Sequence, residues 1–349
     1  MIVLVSFYRL CLKTFPVKSF LNIAALLIIF AGLTACKKDK KTITEELEPG
    51  YKLHLPKGFP MPSIPTDNAL SDDRIALGKL LFFDKIMSRD NTISCGTCHE
   101  TDKHFTDNLA LSIGIEGRVG TRNAPSIVNI AYAPYLFWDG GNPTLEQQVL
   151  APIDNHNELD YDVNKIIERL LKHPNYPTLF QNAYDQPPNV YTLTRALACY
   201  ERSLIMGNSR YDDYLQNNNS SALNTSEKNG MAIFMGERGE CFHCHGGFNF
   251  TDNSFQNNGL YTTYADSGRM HITAKLQDYG KFKVPSLRNV EKTAPYMHDG
   301  SLATLEEVVD HYNKGGHQSL TKSIFIQAMG LSDEEKKDLV NFLKALNEK

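Results

Sequence analysis

The chain has 349 residues, of which 42% are hydrophobic and 22% charged, and its formal net charge is -4. This composition is that of an ordinary globular protein and excludes a disordered or fibrous one. The small negative net charge argues against an extended basic surface, so we expect no nucleic acid among the partners.

The first 35 residues resemble an export signal. Basic residues precede an apolar run over residues 20–32, which is shorter than the roughly 20 residues that span a bilayer. The run leads to Leu-Thr-Ala-Cys at residues 33–36, which resembles a bacterial lipobox. We therefore expect a periplasmic protein that is anchored to a membrane through lipid on Cys36, with residues 36–50 as a tether. An ordinary signal peptide followed by an incidental cysteine is the alternative.

Two Cys-x-x-Cys-His motifs follow, at residues 95–99 and 241–245. Such a motif attaches haem c, because its two thiols add to the haem vinyl groups and its histidine ligates the iron. Zinc bound by the same residues is the alternative, but export and the histidine after each second cysteine favour haem. We therefore expect two covalently bound haem c groups, the first held by Cys95, Cys98 and His99 and the second by Cys241, Cys244 and His245.

The two motifs belong to a repeated unit. Phe-Thr-Asp-Asn follows the first motif at residues 105–108 and the second at residues 250–253. Further matches recur in the same order, and they relate segments within residues 124–149 to segments within residues 284–309. Such an ordered repeat indicates two copies of one haem domain. A polar run at residues 216–221 has the composition of a linker, so we predict domains over residues 51–216 and 217–349.

Helix-start signals accompany the repeat. Serines precede the apolar stretches that lead toward each motif, and capping-box spacing opens three later helices. The predicted starts are Ser71, Thr144, Ser226, Thr304 and Ser332. No run of alternating apolar residues predicts a sheet. The predicted fold is therefore mainly α, with two tandem c-type cytochrome domains that carry one haem each and are related by internal duplication.

The repeat also allows a comparison of the two haem irons. The position of interest is the one opposite the motif histidine in each copy. When the Asp-Gly pairs of the two copies are aligned, Tyr312 in the second copy falls near Pro152 in the first. A tyrosine phenolate can ligate haem iron, whereas proline offers no side-chain donor atom. We expect an open first haem that binds a small oxidant and a six-coordinate second haem that relays electrons. A structural role for Tyr312, with His311 or Met297 as rival ligands, is the alternative.

These residues resemble those of the bacterial di-haem cytochrome c peroxidases and the related MauG enzymes. The similarity runs from Leu77 to the C-terminal helix, and its most specific segments are residues 122–126, 137–140, 287–289 and 293–296. The resemblance implies an oxidoreductase that reduces hydrogen peroxide to water at the first haem. We also expect a small periplasmic electron donor, either a cytochrome c or a cupredoxin, and we include a homodimer among the candidate partners.

The resemblance implies roles for particular residues. Glu158 is similar to the distal glutamate that moves protons, Gln148 to the distal glutamine, and Trp138 to the tryptophan between the two haems. In the same way, an inter-domain calcium ion is implied, with oxygen ligands from Asn123 and the carbonyl groups of Thr293 and Pro295.

Two positions differ from the common pattern of these peroxidases. Ile115 stands where many of them have a histidine that blocks the first haem, and Tyr312 stands where they have a methionine, as in the MauG branch. Both differences favour a first haem that needs no reductive activation. A MauG-like oxidase acting on a protein or organic substrate therefore remains a second hypothesis. A non-catalytic electron carrier with two closed haems is the third.

Overall fold

The computed structural model describes residues 51–349, and the predicted signal peptide, the anchor on Cys36 and the tether lie outside them. Most regular structure in this part is helical. The helices are α1 Asp72–Phe83, α2 Cys95–Cys98, α3 Leu145–Gln148, α4 Leu150–Asp154, α5 Val163–Lys172, α6 Tyr176–Tyr184, α7 Val190–Ser203, α8 Arg210–Gln216, α9 Thr225–Phe234, α10 Met270–Thr273, α11 Leu305–Asn313 and α12 Asp333–Lys344.

Other regular structure is brief. Two strands, β1 Phe255–Gln256 and β2 Phe282–Lys283, pair antiparallel. Short 3-10 turns include Ile130–Tyr132, Cys241–His243 and Val290–Lys292. None of the helices between residues 51 and 349 has the length and apolar character that a membrane span requires. The prediction of a mainly α protein is confirmed.

Four of the five predicted helix starts are confirmed by their caps. The side chain of each capping residue accepts a hydrogen bond from the backbone N–H three positions later, at Ser71, Thr144, Thr304 and Ser332. The fifth, Ser226, is wrong as a cap. Helix α9 is capped instead by Asn224, with Glu227 completing the capping box, and the Ser226 hydroxyl donates to Asp338. Asparagine caps as well as serine, and here the capping-box glutamate lies three residues after it.

A glycine allows the helix before each motif to cross a later helix closely. In the first half of the described chain (residues 51–206), a Cβ on Gly78 of α1 would lie 1.9 Å from the carbonyl oxygen of Ala196 in α7. In the second half (residues 207–349), a Cβ on Gly230 of α9 would lie 1.9 Å from the carbonyl oxygen of Asp338 in α12. The two copies therefore share one helix-crossing geometry.

Each half has its own hydrophobic core. The first is formed by residues between Leu77 and Tyr200, and the second by residues between Phe234 and Leu346. Tyr211 of α8 already packs against the second core, with ring centroids 5.2 Å from Phe250 and 5.7 Å from Phe342. The chain therefore passes from one core to the other before α8, ahead of the boundary that the sequence placed at residue 216.

Two backbone hydrogen bonds tie the halves together at matching positions of the repeat. The N–H of Asn123 donates to the carbonyl oxygen of His298 over 2.8 Å, and the N–H of Lys283 donates to that of Trp138 over 2.7 Å. Asn123 aligns with Lys283, and Trp138 aligns with His298, 160 positions apart. The two bonds are thus the same contact made twice, once in each direction.

A buried ion pair fixes α8 against the second copy of the repeat. Both terminal nitrogens of Arg288 donate to the Asp212 carboxylate, over 2.8 and 2.9 Å, and the side chains are only 4% and 11% exposed. Arg288 also donates to the carbonyl oxygen of Phe248. Removing one partner of such a pair leaves the other charge buried and unpaired.

We expect Asp212→Ala to destabilise the haem-loaded protein by about 3–5 kcal/mol, because the Arg288 guanidinium would remain buried without its carboxylate. Urea denaturation measures this change. Asp333→Ala is the control, since Asp333 pairs with Lys336 at the surface and its side chain is 99% exposed, so little or no loss is expected. Equal losses in the two variants would contradict the account of the buried pair.

Candidate functional site

A cavity of about 1120 Å³ is lined by residues of both halves. Its walls include every cysteine and both terminal histidines of the two motifs: Cys95, Cys98, His99, Cys241, Cys244 and His245. A single small-molecule pocket is usually about 300–1000 Å³. The cavity is therefore large for one small ligand, and both motifs open into it.

The motif histidines are oriented in the same way. Nδ1 of His99 lies 2.9 Å from the carbonyl oxygen of Phe105, and Nδ1 of His245 lies 3.0 Å from that of Phe250. Both phenylalanines have positive φ, 61° and 51°. A proton on Nδ1 leaves Nε2 free to ligate a metal. Burial lowers the pKa of both histidines, which keeps each imidazole neutral, the form that binds iron.

The thiols fit covalent attachment of haem. All four motif cysteines are free, and two of them line the cavity beside each histidine. Burial raises the pKa of Cys98 and of Cys244 to about 11, so both remain protonated near neutral pH. Two thiols and one neutral imidazole per motif are the groups that haem c requires.

Two polar side chains predicted for the distal pocket line the same cavity as His99. They are Glu158 and Gln148, and Pro152 lies in the wall with them. The Asn155 amide donates to Oε1 of Glu158 over 2.7 Å, which fixes the carboxyl group. Burial raises the pKa of Glu158, with the Asn155 hydrogen bond opposing the shift. A raised pKa makes a carboxyl group a stronger base, which suits a group that takes and returns a proton.

Ile115 lies behind this pocket. Its side chain is fully buried and does not line the cavity, and its backbone N–H donates to the carbonyl oxygen of Glu158 over 3.0 Å. The neighbouring Gly114 does line the cavity, and a Cβ there would lie 2.0 Å from the carbonyl oxygen of Asn157. The segment that carries Ile115 thus supports Glu158 and presents backbone to the cavity.

Tyr312 and Met297 both line the cavity in the second half, whereas His311 does not. The amide of Asn258 donates to the Tyr312 hydroxyl over 3.3 Å and to the Met297 sulfur over 3.2 Å. Nε2 of His311 lies 3.0 Å from the backbone carbonyl oxygen of Asn258, within hydrogen-bond distance. Burial raises the pKa of Tyr312 to about 12, so the phenol stays neutral unless a Lewis acid displaces its proton.

Trp138 lines the cavity at the junction of the halves. Its indole N–H donates to the carbonyl oxygen of Asn123 over 2.9 Å, while its own carbonyl oxygen accepts the bond from Lys283. These two bonds hold the ring and the backbone of Trp138 between segments that belong to different copies of the repeat.

The three residues predicted to bind calcium, Asn123, Thr293 and Pro295, line the cavity together. The Asn123 amide nitrogen donates to the carbonyl oxygen of Leu109 over 2.8 Å, which leaves Oδ1 as the atom that a cation would use. A second group of metal-ligand side chains, with ligand atoms within 4.8 Å of one another, comprises Glu237, Glu240 and His243. It lies partly exposed at the second motif, and its imidazole suits a transition metal better than calcium.

Comparisons with known proteins all point to one family. A family model for the di-haem cytochrome c peroxidases matches residues 72–220. The methylamine utilization protein MauG of Methylorubrum extorquens is 36% identical over 84% of this chain and 83% of its own length. The cytochrome c551 peroxidase of Nitrosomonas europaea is 35% identical over 72% of this chain and 75% of its own.

A solved structure resembles most of the chain. A MauG-like protein associated with microbial copper homeostasis has a TM-score of 0.81 and 37% identity, and the match covers 86% of this chain and 96% of that one. Relatives with both names, MauG and peroxidase, thus share sequence with this chain over most of its length.

Glu201 and Lys283 are among the charged residues of the cavity wall for which the sequence predicted no role. Glu201 of α7 is 7% exposed, and Lys283 belongs to β2. Burial raises the pKa of Glu201 to about 8, with Arg202 lowering it and Glu146 raising it further. Nothing in the local sequence marks either residue, because their burial depends on contacts between distant segments. For Lys283, the one available signal was its alignment with Asn123 in the repeat.

We expect Glu201→Gln to become more stable relative to the unchanged protein as pH rises. A carboxyl whose pKa is raised on folding stabilises the protein fully when the pH is below its unfolded pKa. For Glu201 this contribution is lost as the pH rises through about 8. Between about pH 5 and pH 8 the difference should grow by about 1 kcal/mol or more. Urea denaturation at several pH values measures it, with Glu168→Gln as an exposed control in the same half. Parallel curves for Glu201→Gln and the unchanged protein would rule out the buried carboxyl.

Proposed function

This chain belongs to the di-haem cytochrome c peroxidase and MauG family, and on that premise we propose that it reduces hydrogen peroxide to water. Cytochrome c peroxidases are oxidoreductases, and so is this enzyme. Peroxide would react at the haem held by Cys95, Cys98 and His99. Electrons would come through the haem held by Cys241, Cys244 and His245.

The observation that carries the proposal is a partly buried acid in the cavity wall that His99 also lines. Glu158 is held there by Asn155 and has a raised pKa, while Pro152 offers no side-chain ligand to an iron. When bound, the haem supplies the iron at which peroxide is held and reduced. An electron carrier with two closed haems would have no use for such an acid.

The reaction consumes one peroxide, two protons and two electrons and releases two waters. Glu158 takes a proton from one peroxide oxygen and returns it to the other, so that the second oxygen leaves as water. Gln148, in the same wall, donates or accepts a hydrogen bond that orients the peroxide. The hydrogen bond from Asn155 keeps the carboxyl group in place for both transfers.

Trp138 offers a route for the electrons. Its ring lies in the cavity wall, and its backbone and indole N–H are bonded to segments from both copies of the repeat. An aromatic ring fixed in this way shortens the distance that an electron crosses between two haems in one cavity. Tyr312, from α11, would ligate the second iron as a phenolate, with Asn258 donating to its oxygen.

Tyr312 also favours a second candidate, a MauG-like oxidase acting on a protein or organic substrate. A phenolate ligand lowers the reduction potential of a haem relative to a methionine ligand. A second haem with a low potential is easily oxidised, as an oxidase requires, but a mild electron donor reduces it poorly. The similar MauG and MauG-like proteins support this candidate. Rapid peroxide-dependent oxidation of a small reduced cytochrome c or cupredoxin would favour the peroxidase, and its absence the oxidase.

Export, partners and calcium complete the proposal. The protein would lie in the periplasm, held to a membrane by lipid on Cys36, and would take electrons from a small cytochrome c or cupredoxin. One calcium ion would bind Asn123 and the carbonyl oxygens of Thr293 and Pro295. A homodimer is part of the same proposal.

We expect Glu158→Gln to lower peroxide turnover by about a hundredfold or more, because the amide cannot carry the proton between the two oxygens. The measurement is the steady-state rate of peroxide loss with a reduced donor. Both haems should remain attached, as the pyridine haemochrome spectrum reports.

Glu168→Gln is the matched control, since Glu168 is an exposed glutamate of α5 in the same half. It should turn over peroxide at the unchanged rate. If Glu158→Gln also did so with both haems present, Glu158 would not be the acid and base of the reaction.

A further inference from the structure

Lys283 occupies a junction between the two copies of the repeat. It ends β2, and its backbone N–H donates to the carbonyl oxygen of Trp138 over 2.7 Å. Lys283 is partly buried and is one of the residues that line the cavity shared by both motifs. A positive charge is thus carried into the wall next to the tryptophan that joins the halves.

The other lysine and arginine residues of the cavity wall are paired with carboxylates. Arg122 bonds Asp139 and Asp266, each over 2.6 Å, and Arg288 bonds Asp212. Among the residues of the described part, Lys283 has no carboxylate within ion-pair distance. Burial without a partner disfavours a charged amine, and it lowers the pKa of Lys283 to about 8.

The repeat indicates that the fold does not require this lysine. The aligned residue of the first copy is Asn123, whose backbone makes the equivalent bond to His298 over 2.8 Å. The backbone contact is therefore formed equally well with a neutral side chain. What Lys283 adds at this position is charge.

A haem carries two propionate groups, which are anionic at neutral pH. Two haems in this cavity would bring four carboxylates beside a wall whose other cations are already paired. We propose that the Lys283 ammonium pairs with a haem propionate, which makes Lys283 a positioning residue for that haem. Each charge offsets the cost of burying the other, since a buried ion is tolerated when it is paired.

This pairing would also affect the electron route. A positive charge near a haem favours the reduced state, because reduction adds a negative charge to the group. The backbone of Lys283 is bonded to that of Trp138, and both residues line the cavity into which the two motifs open. We expect Lys283 to raise the midpoint potential of the haem whose propionate it holds.

The test is a spectroelectrochemical titration of both haems in the loaded protein. Lys283→Met keeps the length of the side chain without its charge and should fold, because methionine needs no polar partner in a buried site. We expect the equilibrium constant for reduction of one haem to fall by about tenfold, a size typical of one lost charge interaction. Lys283→Gln should give a fall in the same direction.

Two further variants separate charge from packing. Lys283→Arg keeps the charge and should retain the unchanged potential. Lys281→Met is the matched control, since Lys281 lies two residues away outside the cavity wall and faces Asp278 at 3.7 Å. The proposal is overturned if both neutral variants leave the two potentials unchanged, or if Lys281→Met lowers one of them equally.

The inference rests on the proposal that this chain carries two haems. The pyridine haemochrome assay of the unchanged protein is therefore done first. A protein with fewer than two haems would contradict the proposed function itself. Two haems whose potentials do not depend on the charge at residue 283 would contradict the role of Lys283 alone.

Discussion

The reciprocal pair of backbone hydrogen bonds between the two copies of the repeat is the contact on which the site depends. Asn123 bonds to the carbonyl oxygen of His298, and Lys283 bonds to that of Trp138. Each copy therefore contributes a segment to the wall of the other, and one cavity is lined by both Cys-x-x-Cys-His motifs. The placement of Trp138 between the halves, and of Lys283 beside it, follows from this exchange.

The same backbone carries different side chains in the two copies, and the proposed function depends on those differences. Where one copy has tryptophan the other has histidine, and where one has asparagine the other has lysine. Pro152 stands near the position that Tyr312 holds in the second copy, and both line the cavity. Duplication thus provides two similar scaffolds that each carry a Cys-x-x-Cys-His motif. Under the proposed function, a few substitutions in the cavity wall would make one copy bind the oxidant and the other relay electrons.

The local features of the fold could be predicted because they depend on residues close in sequence. The four confirmed helix caps follow from short spacings, and the start of α9 was misplaced by two residues. The features that were missed depend on distant contacts. Glu201 is an ordinary helical glutamate until packing of α7 buries it, and α8 joins the second core because Arg288, 76 positions later, binds Asp212.

The residues that line the cavity could be predicted better than the contacts that hold them. The residues suggested by family resemblance, Glu158, Gln148 and Trp138, all line the cavity. The sequence could not show that Asn155 holds Glu158, or that Asn258 contacts both Tyr312 and Met297 while its carbonyl oxygen engages His311.

The division of labour between the two haems is tested most directly by electron paramagnetic resonance of the untreated ferric protein and of Tyr312→Phe. An open first haem and a tyrosine-ligated second haem predict one high-spin and one low-spin signal, with only the low-spin signal altered in the variant. Two low-spin signals, unchanged in Tyr312→Phe, would contradict both the open site at His99 and the ligand role of Tyr312.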